Sequence, residues 1–477
     1  MNIVVRSITT SYTLNKATTI LPLRSLVNRA VRLNRCSSRN PNPLQLVALA
    51  AAQRRQISFQ SITGGLFDMS ADRRRPTWSP FETVKMNTLR SILQNQVNNI
   101  DRAQLLVNNV VMPIPPGKAF IQHLKISRKE DLVLEGMTAD QCKGTFRAEW
   151  VQDQRMKLPK EAPAERIILY VHGGAYIVGS PGTHRFLTWR VSKHSQARVL
   201  AVDYRLAPKH IFPLALQDVL SAYSFLINPP LSTQHKYRPD QIVFMGDSAG
   251  GGLVWSAMLY IRDHPDEFPM PAGVAGIAPW LDLTHSMPSF LDNGKWDYLP
   301  SETKDPKHVN KDRKFPYVKS NADLPNPYVS PLYAKEEPTK PICPMLIQIG
   351  EVERLRDENL YWAMERFKNS PVRLEVYEDM VHVYHLFVTS KSIAGRSYQH
   401  LGNFVREVTS GKPFEIGTRS IMIRNQRPAY PVEKLEDPLK YVRDGLEKKG
   451  QTLEDVAKWL DEADSTRKKG ESPVVGG

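Results

Sequence analysis

Cysteine is scarce. The chain has three, Cys36, Cys142 and Cys343, far apart and without ligand spacing, which excludes a disulfide framework and a cysteine zinc site and fits a reducing compartment. Long apolar runs are also missing. The longest in the first 67 residues, Leu46 to Ala52, lies far from the start and is far too short to span a bilayer, so neither a secretory signal nor a transmembrane segment is expected. The third absence is the most informative: from Met1 to Phe67 there is no Asp or Glu.

That acid-free leader carries Arg6, Lys16, Arg24, Arg29, Arg32, Arg35, Arg39, Arg54 and Arg55, nine of the fifteen net positive charges. What remains on the rest of the chain is modest for its length, and no basic run with interleaved aromatics follows. A nucleic-acid partner is therefore not expected. Leu23, Leu26, Val27, Ala30 and Val31 fall on one face of a helical wheel, with Arg24, Asn28, Arg32 and Arg35 towards the other. A basic amphipathic helix in a segment rich in Ser, Thr and Asn is the composition of a mitochondrial transit peptide, and the expected address is the matrix, with the cytoplasm as the alternative.

The chain as a whole has the composition of a globular protein, with 41% apolar and 24% charged residues over 477 positions. The expected organisation is a leader over 1–67, a helical cap and N-terminal segment over 68–163, a catalytic domain over 164–410, and a C-terminal extension over 411–477 with a disordered tail. In 68–163 the pattern reads as mostly helix followed by irregular structure. From Arg166 short buried strands alternate with helices, which calls for an α/β fold with a mainly parallel sheet covered by helices. The interval from Ser286 to Pro341, rich in Asp, Lys, Pro and Tyr, breaks the rhythm as an irregular excursion.

The strand "QIVFMG" runs into Gly246-Asp247-Ser248-Ala249-Gly250 and then a helix. A serine between two glycines at a strand-to-helix junction is the nucleophile elbow of an α/β-hydrolase: the turn is so tight that both flanking positions must be tiny, and the hydroxyl is lifted clear of the sheet. The oxyanion that such a serine generates needs main-chain N–H donors from the residue after it and from the loop after an earlier strand. Here those donors are expected to be Ala249, Gly173 and Gly174, the glycines of "RIILYVHGGAY". A hydroxyl alone is a poor nucleophile, so a base is sought after the last strand of the alternation, where "YEDMVHVYHLF" offers His382 and His385.

In "HGGAY", "DYRLAP" (203–208), "GDSAGGG", "APWLDL" (278–283) and "NPYVSPLYA" (326–334) the chain resembles the hormone-sensitive-lipase-like carboxylesterases of the α/β-hydrolase fold, over about half its length. The resemblance implies a helical cap formed by the N-terminal segment, which Trp78, Phe81, Met86, Leu89, Ile92 and Leu93 could line, although residue by residue the same stripe reads better as the buried side of a helix packed on the hydrolase core. It departs at Ala175, where the family usually has a third glycine. It places His382 in a Met-x-His-x-aromatic motif, as the base. By the same alignment Glu353 occupies the position of the acid and Asp357 that of a helix-starting carboxylate, with Glu351 a more distant candidate.

The expected activity is hydrolysis of carboxylic esters, short to medium in acyl chain or lipid-like, through an acyl-enzyme, without metal or organic cofactor. An acyltransferase with the same residues, or a ligand-binding module on the same fold, are the alternatives. Oligomeric state is not encoded in any feature of the sequence. In "QTLEDVAKWLDEAD", Thr452 and Asp455 form a capping-box pattern ahead of an apolar stripe, so a helix docked on the hydrolase is expected there.

Overall fold

A computed structural model describes residues 75–96, 98–156, 164–230, 235–301, 304–386 and 393–468. The expected leader and the expected disordered tail after 468 lie outside these residues.

Ten strands form one sheet in the order β1-β2-β4-β3-β5-β6-β7-β8-β9-β10. They are β1 (Ala119–Ser127), β2 (Thr145–Asp153), β3 (Ile167–Val171), β4 (Arg198–Val202), β5 (Ile242–Asp247), β6 (Gly273–Ile277), β7 (Met345–Gly350), β8 (Val372–Tyr377), β9 (Ser420–Ile423) and β10 (Val432–Lys434). Pairing from β4 through β9 is parallel, while β1, β2 and β10 join antiparallel at the two edges.

Strands β3 to β7 are buried on both faces, and the period of two divides their side chains between two cores. Ile167, Leu169 and Val171 of β3 face the cluster with α4 (Leu214–Ile227) and α5 (Ser248–Asp263), whereas Ile168 and Tyr170 face α3 (Pro181–Ser195) and α7 (Ile393–Val408). All five are at 0% exposure. Side chains so buried contribute about 2 kcal/mol each, which is why continuous apolar runs are required here.

One part of the sequence reading is corrected. The segment 68–163 does contain helices, α1 (Pro80–Gln96) and α2 (Ile100–Val107), but they are followed by two nine-residue strands rather than irregular structure. Phe146, Ala148 and Trp150 of β2 are buried, but the alternation set by the exposed Arg147 is broken by Glu149, a carboxylate buried against Arg185, and by the buried Val151. Of the apolar stripe, Trp78 ahead of α1 and Met86, Leu89 and Leu93 within it pack with Tyr298, Val352 and Val381, as the buried side of a helix on the core would, whereas Phe81 is 74% exposed.

The extension after 410 belongs to the sheet through β9 and β10. Val442 and Leu446 of α8 (Lys440–Glu447), with Val456, Leu460 and Ala463 of α9 (Leu453–Lys468), join the main core. Asp455 accepts from the Thr452 N–H at 2.8 Å and the Thr452 hydroxyl accepts from the Asp455 N–H at 3.2 Å, so α9 begins at a closed capping box. Among the described residues no helix is long and apolar enough to cross a membrane.

Candidate active site

The end of β5 turns into α5 with no spare volume. A Cβ on Gly246 would lie 2.4 Å from the Gly250 carbonyl oxygen, and one on Gly250 would lie 2.1 Å from that of Val171. Ser248 sits at φ +53°, in the left-handed region that costs a non-glycine residue about 1 kcal/mol or more. The surrounding close contacts hold it there, at the carboxyl end of the central strands, where loops from β3, β5, β7 and β8 converge.

His382 lies in the turn after β8 and is 2% exposed. Its Nε2 is 2.8 Å from Ser248 Oγ. Glu353, at 0% exposure in the loop after β7, accepts the Gly350 N–H on Oε2 at 3.0 Å. Its Oε1 faces His382 Nδ1 across 4.0 Å, and neither atom has another partner among the described residues. Burial alone would lower the His382 pKa, but the Glu353 carboxylate, together with Asp297 and Asp247, outweighs it and holds the imidazole above its ordinary value. Burial raises that of Glu353 against the pull of His382.

The other candidates are engaged elsewhere. Asp357 accepts the Ser289 N–H at 2.9 Å and pairs with Arg356 at 2.7 Å. Glu351 accepts the Asp379 N–H at 3.0 Å and the Tyr441 hydroxyl at 3.0 Å. His385 Nε2 contacts Gln348 Oε1 at 3.1 Å, and burial pushes its pKa down to about 3. The loop after β3 is braced from below: His172 Nδ1–H donates to the Gly173 carbonyl at 2.7 Å, and Tyr204 Oη–H donates to that of His172 at 2.9 Å.

One expected oxyanion donor is corrected. The N–H of Gly173 donates to Asp247 Oδ1 at 3.1 Å and is not free to meet a substrate. Gly174, at φ +118°, is required as glycine because a Cβ would lie 2.0 Å from the Val178 carbonyl oxygen. Neither the Gly174 nor the Ala175 N–H has a hydrogen-bond partner among the described residues, and Ala249 N–H lies in the first turn of α5, where the helix has no acceptor for it.

Two residues near the site escaped the sequence reading. His184 Nε2 lies 3.3 Å from Asp247 Oδ2, and Asp297 of the excursion accepts the His382 N–H at 3.3 Å. Neither stands in a motif, since each reaches the site only through tertiary packing.

A parallel sheet covered by helices, with a serine at a strained strand-to-helix turn and a histidine against its hydroxyl, defines a serine hydrolase of the α/β-hydrolase fold. Residues 168–386 match the family described as alpha/beta hydrolase fold. An acetyl-hydrolase of Streptomyces hygroscopicus is 31% identical over 267 residues, 56% of this chain and 81% of that protein. An esterase of Acinetobacter venetianus is 30% identical over 220 residues, 46% of this chain and 66% of that protein. Among solved structures, that of EstE5 from a crystal soaked with p-nitrophenyl butyrate aligns with a TM-score of 0.53 at 28% identity, covering 70% of this chain and all of that one. The chain belongs to the hormone-sensitive-lipase-like carboxylesterases and is a carboxylic ester hydrolase.

Proposed function

We propose that Ser248 is the nucleophile, His382 the general base and then acid, and Glu353 the acid that orients it, acting on small carboxylic esters of short to medium acyl chain or on lipid-like esters. The observation that carries this reading is the 2.8 Å approach of His382 Nε2 to the hydroxyl of the elbow serine. His382 takes the proton of Ser248 as Oγ attacks the ester carbonyl, and the tetrahedral oxyanion is met by the N–H groups of Gly174, Ala175 and Ala249. Ala175, at φ +54°, replaces Gly173 in this role because its amide is adjacent and unengaged. Collapse breaks the bond to the alkoxy group, which leaves as the alcohol with the proton from His382. Water, deprotonated by the same imidazole, then cleaves the acyl-enzyme.

The test is a series of p-nitrophenyl esters from acetate to palmitate. Turnover with a burst of nitrophenol, highest among the shorter chains, is expected; activity confined to emulsified long-chain esters would overturn the short-to-medium assignment. For the acid-free leader we propose mitochondrial import, with the matrix as destination. Residues 1–67 fused to a fluorescent reporter should enter mitochondria, and a diffuse cytosolic signal would refute it.

A further inference from the structure

Asp297 is fully buried, and its carboxylate is held by main-chain donors. Oδ1 accepts the N–H groups of Tyr298 at 2.8 Å and His382 at 3.3 Å, and Oδ2 accepts that of Arg354 at 2.7 Å. One carboxylate thus ties the loop that carries the acid, after β7, to the loop that carries the base, after β8. The neighbouring residues reinforce the acid side: Asn293 Nδ2 donates to the Glu353 carbonyl at 2.7 Å and Ser289 Oγ–H donates to that of Arg354 at 2.7 Å. From the other side, Arg90 of α1 donates to the carbonyls of Trp296 and Asp297, both at 2.7 Å.

Such an arrangement is expensive to bury, because charge-bearing groups in a dry interior are tolerated only when their hydrogen bonds are satisfied. A structural strut between two loops could be built from an amide or a hydroxyl. A carboxylate in that place also acts electrostatically on what it touches, and it touches the base.

We propose that Asp297 is a positioning residue for His382, fixing the imidazole's main chain against the acid loop and placing a second negative charge beside it. The proposal rests on the reading of His382 as the base. The charges that face His382 are Glu353 from the loop after β7, Asp297 from the excursion and Asp247 from the end of β5, all favouring the protonated ring; His385 sits nearby on the same turn and the Tyr298 ring lies 6.1 Å away. Around Asp297 itself stand the Arg354 guanidinium, Glu353 and Tyr298.

The experiment is Asp297→Asn in the full chain, with kcat and KM for p-nitrophenyl butyrate measured across pH 5 to 9 (roughly, the span over which an imidazole titrates) and melting temperatures in parallel. The amide keeps one acceptor and loses the charge. Turnover should fall roughly tenfold to a hundredfold with KM little changed, as for a reacting group displaced by a fraction of an ångström. The acid limb of kcat/KM should move to lower pH by about half a unit to one unit, because a proton on His382 has lost a stabilising neighbour. A role as strut alone would lower turnover and melting temperature and leave the limb in place; that result overturns the proposal. Should the Asn variant not fold, Arg90→Gln decides, since it loosens the same residues from α1 without touching the site: a several-fold fall in kcat at constant KM together with an acid limb moved to lower pH supports the proposal, and an unmoved limb, with or without a fall in kcat, overturns it. Failure of the triad reading would be seen separately, as turnover that survives loss of Ser248.

Discussion

Asp247 Oδ1 accepts the N–H of Gly173 at 3.1 Å, so the residue beside Ser248 ties down the loop after β3, which the proposed mechanism uses for the oxyanion. The same carboxylate accepts the Tyr170 hydroxyl at 2.5 Å and lies 3.3 Å from His184 Nε2. Burial works against the charge on both partners, but their mutual attraction prevails, keeping the Asp247 carboxyl below its ordinary value and the His184 imidazole above it. Elbow and loop are therefore one unit, set by a buried ion pair beneath the reacting serine.

Gly173→Ala should break that unit. The new Cβ would lie 2.4 Å from Asp247 Oδ2 and 3.0 Å from the Ser248 Cβ, with no flexible side-chain end to yield. Displacing the donors should lower kcat by roughly a hundredfold, the scale of losing one oxyanion donor, while the far side of the fold is untouched. Steady-state kinetics beside a circular-dichroism melt would check this, and natural turnover in the Gly173→Ala enzyme would remove Asp247 from the account.

Glu353→Gln should cost roughly a hundredfold to ten-thousandfold in kcat, because the imidazole loses its negative partner and its preferred tautomer. Asp357→Asn should cost much less in turnover, since its carboxylate serves Ser289 and Arg356 rather than His382. It should lower the melting temperature instead. Turnover at saturating ester, measured for both variants in folded form, separates the two; greater damage from Asp357→Asn would place the acid elsewhere.

His382 must be neutral to accept the proton of Ser248, and its pKa is raised above 6.5. The sign follows: activity should be lost as pH falls through a value above 6.5, and Glu353→Gln should shift that limb downward. A profile of kcat/KM against pH measures it directly. A limb well below 6.5 in the natural enzyme would mean that burial, not the carboxylate, controls the base.

The segment ahead of α1 should be needed for turnover. Arg75 Nε meets Asp379 Oδ1 at 2.5 Å, Thr77 N–H donates to Asp379 Oδ2 at 3.1 Å and Trp78 Nε1–H donates to the Asp379 carbonyl at 2.7 Å. Asp379 precedes His382 by three positions, so these bonds brace the base's turn. A chain beginning at residue 68 should keep natural kcat, whereas one beginning at Pro80 should lose most of it and melt lower, because removing the buried Trp78 alone costs about 3 kcal/mol. Equal kcat for the two would show the brace to be idle.

The parts of the protein that could be read from its sequence are those where short-range chemistry is decisive. The elbow is legible because Gly246 and Gly250 are demanded by main-chain contacts close to the turn, and the parallel strands are legible because burial on both faces makes them mainly apolar runs. Glu353 could be placed only through the resemblance, by aligning Leu355 and Asp357 onto the family pattern after Gly350. Gly173 reads as a free donor because its partner, Asp247, lies across a strand and not along the chain. Asp297 left no trace, since "DNGKWDYLP" has neither strand nor helix periodicity and its function depends on two loops brought together by β7 and β8. The sheet continuation through β9 was hidden by its brevity, four residues followed by a proline-rich turn.

The central claim is that Ser248 is the nucleophile, and labelling with a fluorophosphonate tests it most directly. The natural chain should take up one equivalent of label, recovered on the peptide that contains Ser248, with ester turnover lost in proportion. Ser248→Ala, folded to the same melting temperature, should take up none and hydrolyse p-nitrophenyl butyrate no faster than buffer. Label or turnover retained in that variant would contradict the account.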